Sequence, residues 1–197
     1  MKPLRLAVLI SGRGSNMERL LEAAAAPGFP AKPCLVMSNK PDAEGLQTAA
    51  ARGVPTTAIS HKDYESREGF EHAMDEALRE HGTDIIALAG FMRVLTPWFV
   101  SRWHRRMINI HPSLLPKYPG LNTHARAIEA GDSEAGCSVH WVSEGVDEGD
   151  VIAQARVPIL PDDTPETLAA RVLVEEHRLY PDALKLACEQ VRPRQEV

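Results

Sequence analysis

Cysteine is scarce in this chain: Cys34, Cys137 and Cys188 are three thiols in 197 residues, widely spaced and without a CxxC pair. That spacing suggests neither a disulfide framework nor a zinc site, and it fits a reducing compartment. No HExxH motif or His/Cys cluster has the spacing of metal ligands, so no metal is expected. Apolar runs long enough to cross a bilayer are absent as well. The N-terminal stretch MKPLRLAVLISGRGSN opens like a signal peptide. Arg5 breaks its apolar run, however, and it ends in a glycine turn with no small-residue cleavage site, so a first β-strand fits better. Positive charge is in deficit, with 22 Lys and Arg against 27 Asp and Glu and a net charge of −5. Broad nucleic-acid binding needs the opposite balance, although a few local donors still suffice for one small anion. The expectation is a cytoplasmic protein with small-molecule ligands, no nucleic-acid partner and no membrane partner. Monomer and homodimer are both left open.

What is present is the composition of an ordinary globular domain, 44% hydrophobic and 25% charged. Repeats, low-complexity tracts and linkers are missing, which predicts one domain over 1–190 and a frayed tail over 191–197. Leu4 to Ile10 is an aliphatic run, followed by Ser11-Gly12-Arg13-Gly14-Ser15-Asn16 and a helical pattern to Ala26. The alternation continues with strands at Cys34 to Ser38, Thr56 to Ile59 and Asp84 to Ala89. Helices fall between them, at Ala43 to Arg52 and Arg67 to His81. Unbroken apolar strands are what a parallel sheet covered on both faces requires. Thr96-Pro97 caps and starts a short helix. Met107 to Ile110, Gly136 to Val142 and Val151 to Pro158 are read as strands, the last two joined by an acidic loop over 143–150. A final helix starts at Asp163-Thr164-Pro165-Glu166 and runs to about Glu189, with Pro181 expected to interrupt or kink it. The fold class is α/β: a single-domain, open, mostly parallel twisted sheet with helices on both faces, Rossmann-like.

Three features carry chemistry. Gly12 and Gly14 let backbone N–H groups approach a ligand, the following helix start supplies free donors, and Ser15 and Asn16 add polar side chains. This is a phosphate cradle without the Lys-Ser/Thr ending of a P-loop. A tight turn with a capping serine explains the same residues about equally well. Next, Asn109 and His111 stand on one face at the end of a short strand. An amide there stabilises a carbonyl oxygen turning tetrahedral, and an imidazole moves a proton. A strand end capped by a polar pair is the plainer alternative. Last, Asp147 sits in the acidic loop, where a carboxylate reaching His111 would favour the imidazolium. Of the other histidines, His61, His72, His81 and His104 read as surface residues, whereas His124 and His140 lie near the candidate site.

The stretches VLISGRGSN (8–16), LAGFMRVLTPWFV (88–100), INIHPSLLPKYPGLNTHARAIEAGD (108–132), SVHWVSEGVDEGDVIAQARVPI (138–159) and EEHRLYP (175–181) together closely resemble the glycinamide ribonucleotide formyltransferase family. The resemblance implies transfer of the formyl group of 10-formyltetrahydrofolate, a co-substrate, to the amine of a phosphoribosylglycinamide in de novo purine biosynthesis. It implies that Gly14, Ser15 and Asn16 hold the phosphate and that Glu176 meets the ribose hydroxyls. It implies Asn109 and His111 as catalytic residues, with Asp147 sustaining the histidine's proton. It also implies that Arg67, Met92, Arg93, Val94, Leu95 and Asn109 form the folate site. The sequence departs from the family at Asn122, where histidine is frequent, and at Arg13, a variable slot.

Two relatives on the same scaffold compete. A methionyl-tRNA formyltransferase is expected to carry a further C-terminal domain and to suit RNA, and a formyltetrahydrofolate hydrolase a further N-terminal one. The Lys117-Tyr118-Pro119-Gly120 stretch fits the glycinamide enzyme better than either. A noncatalytic folate- or nucleotide-binding protein is the rival of a different class, and the joint presence of Asn109, His111 and Asp147 argues against it.

Overall fold

A computed structural model describes residues 2–191. Seven strands form one sheet: β1 (Leu4–Ile10), β2 (Ala31–Ser38), β3 (Thr56–Ala58), β4 (Ile85–Leu88), β5 (Met107–His111), β6 (Glu134–Trp141) and β7 (Val151–Pro158). Their order is β3-β2-β1-β4-β5-β6-β7. The pairings from β3 through β5 are parallel, and those of β6 with β5 and β7 are antiparallel. The helices are α1 (Ser15–Ala24), α2 (Glu44–Ala51), α3 (Arg67–Glu80), α4 (Pro97–Arg102), α5 (Thr123–Glu129) and α6 (Pro165–Gln190). The expected single, mostly parallel α/β sheet is what the chain forms.

Strand alternation explains why both faces are covered. Leu6, Val8 and Ile10 of β1 pack with Met17 and Leu20 of α1 and with Tyr180 and Leu184 of α6. Their neighbours Ala7 and Leu9 point the other way, into Phe70, Met74 and Leu78 of α3 and Phe99 of α4. A strand buried on both sides reads as an unbroken apolar run, which is the pattern of residues 4 to 10. The chain leaves β1 toward β2 on one side, while β4 lies on β1's other edge. This strand reversal opens a crevice at the carboxyl ends of β1 and β4, the place where open α/β sheets bind ligands.

The helix starts follow their local chemistry. The Thr96 hydroxyl accepts from Phe99 N at 3.4 Å, with Pro97 in the first turn. Thr164 and Thr167 form a reciprocal capping box. One expectation needs correction. Pro181 does not interrupt α6, which is continuous from 165 to 190. Proline removes one backbone donor, but Tyr180, Ala183, Leu184 and Ala187 are fully buried around it, and packing outweighs that loss. The seven-residue α5 went unread in the sequence. Val191, the first residue of the expected tail, is buried, and its N–H donates to Ala187 O at 3.1 Å. The remainder of the expected tail, 192–197, lies outside the described residues. Among the described residues no helix is long and apolar enough to cross a membrane.

Candidate active site

β1 delivers the chain to Ser11 at the carboxyl edge of the sheet. Gly14 then takes a left-handed turn, φ 75° and ψ 36°, as the residue before α1. No side chain caps α1, and Ser15 is its first helical residue rather than its cap. The N–H groups of the first turn are thus left to a ligand, at the positive end of the helix dipole. Gly45 seals the turn from behind. Its N–H donates to Gly12 O at 3.1 Å, and a methyl on it would stand 3.0 Å from the Arg13 carbonyl oxygen. From α6, Glu176 reaches this turn and accepts from Asn16 Nδ2 at 2.7 Å. Burial pushes the Glu176 carboxyl above its ordinary range, and the Asn16 contact only partly offsets that. Asn16 Oδ1 is buried without a partner, an acceptor that a ligand donor would satisfy. The structure thus brings Gly14, Ser15, Asn16 and Glu176 together.

The second group gathers where β5 pairs with β6, Asn109 opposite His140 and His111 opposite Ser138. His111 Nε2 lies 2.9 Å from the Tyr118 carbonyl oxygen, and its Nδ1 lies 3.3 Å from Asp147 Oδ2. Both ring nitrogens face acceptors, the surroundings that an imidazole donating from both satisfies. Asp147 is held in the left-handed region at φ 56°, accepts the Gly120 N–H at 2.9 Å, and places Oδ1 3.5 Å from His140 Nε2. Burial alone would raise the Asp147 carboxyl. The contacts with His140 and Gly120 and the charges of His111 and His140 outweigh it, and the net shift is down. His140 lies 3.0 Å, through Nδ1, from the Trp141 carbonyl. Its other nitrogen, Nε2, lies 3.2 Å from Asn109 Nδ2, between that amide and Asp147. The sequence placed His140 near the site; the structure makes it the group that holds the Asn109 amide.

A cleft of about 130 Å³ opens beside this group, lined by Arg93, Val94, Leu95, Asn109, His140 and the 143–147 loop. Met92 and Arg67, expected on the folate side, do not line it. Met92 is 64% exposed, and Arg67 sits exposed at the first turn of α3. A roomier hollow of about 300 Å³ lies behind the 112–118 loop, walled by Lys117, Tyr118, His124 and Arg156. None of the candidate site residues lines it, so volume and chemistry point to different places. Asn109, His111, His140 and Asp147 converge at the smaller cleft and not at the larger void. Sequence reasoning also missed Ser138, whose hydroxyl donates to Ser113 O at 2.6 Å and accepts from Leu115 N at 3.0 Å, tying the 112–118 loop to the sheet. Asn122, the departure from the family pattern, has φ 57°, a conformation asparagine tolerates better than most residues.

The formyl transferase family model matches residues 4–184, nearly the whole chain. The chain belongs to the formyl transferase family. The chain is 52% identical over 184 residues to the trifunctional purine biosynthetic protein adenosine-3 of Drosophila melanogaster, a match covering 92% of this chain and 14% of that much longer protein. The phosphoribosylglycinamide formyltransferase of Haemophilus influenzae is 44% identical over 181 residues, covering 92% of this chain and 85% of that protein. The crystal structure of phosphoribosylglycinamide formyltransferase from Brucella melitensis matches with a TM-score of 0.91 and 53% identity, covering 95% of this chain and 96% of that one. In this formyl transferase chain, the uncapped turn and the His111 group therefore sit on a scaffold shared with those enzymes.

Proposed function

We propose that this chain transfers the formyl group of 10-formyltetrahydrofolate to the amine of 5'-phosphoribosylglycinamide, a cytoplasmic step of de novo purine biosynthesis. The observation that carries the reading is the grouping of Asn109, His111 and Asp147 at a cleft lined by Arg93, Val94 and Leu95. The same chain leaves the N-terminus of α1 without a side-chain cap. The uncapped turn takes the phosphate, Glu176 the ribose hydroxyls, and the cleft the folate ring.

The substrate amine attacks the formyl carbon, and a carbon–nitrogen bond forms as the carbonyl oxygen becomes an oxyanion. Asn109 Nδ2–H and His111 Nε2–H donate to that oxygen, the latter turning from the Tyr118 carbonyl that it faces without substrate. The attacking nitrogen loses its proton to an ordered water, or to His111 once that ring has given its Nε2 proton to the oxyanion. The bond to the folate nitrogen then breaks, and that nitrogen takes up a proton. Asp147 is a positioning residue: it orients His111 through Nδ1 and favours its charged form. Most of the acceleration comes from holding two substrates in register and from this prearranged oxyanion site.

Spectrophotometric loss of 10-formyltetrahydrofolate is expected only when 5'-phosphoribosylglycinamide is present. Equal loss without it would make the chain a hydrolase, and no loss in either case would leave a binding protein. Glu176→Gln tests the ribonucleotide side. Because burial raises the Glu176 carboxyl, the charged form costs stability once the pH passes the unfolded pKa, and below that pH the cost vanishes. The variant is therefore expected to melt higher than the parent near neutral pH, with the gain disappearing below about pH 4. Its KM for the ribonucleotide should rise about tenfold, the loss of one charge-assisted hydrogen bond. An unchanged KM would remove Glu176 from the site.

A further inference from the structure

Residues 92–96 belong to no helix or strand, yet this segment supplies Arg93, Val94 and Leu95 to the cleft. It also exposes apolar side chains, Met92 at 64% and Val94 at 59%. A segment with neither ladder nor helix bonds takes its order from other partners. Two buried side chains provide them. At one end the Ser11 hydroxyl accepts the Met92 N–H at 2.8 Å and donates to Asn39 Oδ1 at 2.5 Å. Ser11 and Asn39 are 5% and 3% exposed, and Asn39 Nδ2 is backed in turn by His61 Nδ1 at 3.3 Å. At the other end Glu71, 1% exposed, accepts the Thr96 N–H at 2.8 Å with one carboxylate oxygen and the Thr96 hydroxyl with the other.

We propose that Ser11 and Glu71 are positioning residues for the formyl donor, clamping the two ends of the 92–96 segment so that its backbone and side chains face the folate in one conformation. Neither needs to touch substrate. Ser11 acts from the residue that opens the phosphate turn, so the same short loop sets up the ribonucleotide side and holds the folate side. The inference rests on the folate reading of this segment. A buried serine and glutamate that merely satisfy the core would make the same bonds. What separates the two views is where the loss appears: a core role lowers stability alone, whereas a clamp alters recognition of one substrate.

The test compares Ser11→Ala and Glu71→Ala with the conservative variants Ser11→Thr and Glu71→Gln, with Leu95→Ala as the control for the segment itself. Threonine keeps the hydroxyl. Glutamine keeps one acceptor for the Thr96 N–H and offers its amide to the Thr96 oxygen. Ser11→Ala removes one atom and should fold like the parent. Both alanine variants are expected to raise KM for 10-formyltetrahydrofolate about tenfold, on the scale of one lost buried hydrogen bond. KM for the ribonucleotide and kcat should stay within about threefold. Amide exchange should quicken at Met92 in the first variant and at Thr96 in the second, and the threonine and glutamine variants should recover most of the loss. If Leu95→Ala leaves the folate KM unchanged, the folate reading of the segment fails and the proposal falls with it. If Leu95→Ala raises that KM while Ser11→Ala does not, the clamp alone is overturned.

Discussion

Asn109→Asp and His111→Ala are each expected to lower kcat by at least about 10²–10³, the usual cost of losing one oxyanion donor. Asn109 reaches the site from β5 with its amide nitrogen 3.2 Å from His140 Nε2, which leaves its second N–H for a substrate oxygen. Aspartate has the same shape but replaces that donor with negative charge where negative charge develops, so the penalty falls on the transition state. KM for both substrates should stay within about threefold, because the amide's value lies in an oxygen that becomes charged only during reaction. The fold should survive. The new carboxylate would lie against the His140 imidazole, an N–H donor when Nε2 carries the proton. In His111→Ala the losses are the contacts to the Tyr118 carbonyl and to Asp147. The ring is 6% exposed, so its removal costs about 1–3 kcal/mol for the acceptors left behind, a drop of about 2–4 °C per kcal/mol in melting temperature. Steady-state rates with both substrates saturating, set beside thermal melts, separate the two effects. Turnover near the parent's in both variants would sink the oxyanion mechanism.

Much of the architecture was legible because it follows local rules. Residues 4–10 and 151–158 appear as strands with the bounds their apolar runs suggested. The starts at Thr96-Pro97 and Thr164-Pro165 match because capping depends only on neighbours in sequence. Pro181 was misjudged because its effect depends on tertiary packing: Tyr180, fully buried, donates its hydroxyl to the Leu88 carbonyl at 2.8 Å and holds α6 to the sheet. Helix α5 was missed for the opposite reason. At seven residues it is too short to stand on periodicity, and it exists because Thr123 and Ala127 are buried. In the site, alternation along β5 placed Asn109 and His111 at the strand end. No spacing rule could join His111 to Asp147, because that contact closes through an irregular loop in which Asp147 takes a left-handed backbone. The links from Ser11 to Met92 and from Glu71 to Thr96 span 81 and 25 residues. Serine before a glycine turn was the only local hint of the first. The folate role implied for Arg67 still rests on family resemblance alone, as the side chain stands exposed outside the cleft lining.

Asp147→Asn should be strongly damaging as well, lowering kcat by about 10²–10⁴, the range that general acid–base support spans. The substitution keeps shape and one carbonyl oxygen, so the Gly120 N–H retains an acceptor. What disappears is charge between two imidazoles, 3.3 Å from His111 Nδ1 and 3.5 Å from His140 Nε2. His111 then loses the anionic acceptor that orients its ring, and kcat should fall with little change in either KM. Stability responds to pH separately. Burial opposes ionisation of Asp147, but the His140 and Gly120 contacts and the neighbouring imidazole charges outweigh it and hold the carboxyl below its ordinary 3.8. A carboxyl depressed in this way adds stability that is fully present above the unfolded pKa and is lost as pH falls through the folded one. The parent should therefore out-melt the variant near pH 5, and that margin should close below about pH 4. The two measurements pull apart two roles. A closing stability margin with kcat near the parent's would leave Asp147 a structural anchor for the loop and remove it from the support of His111.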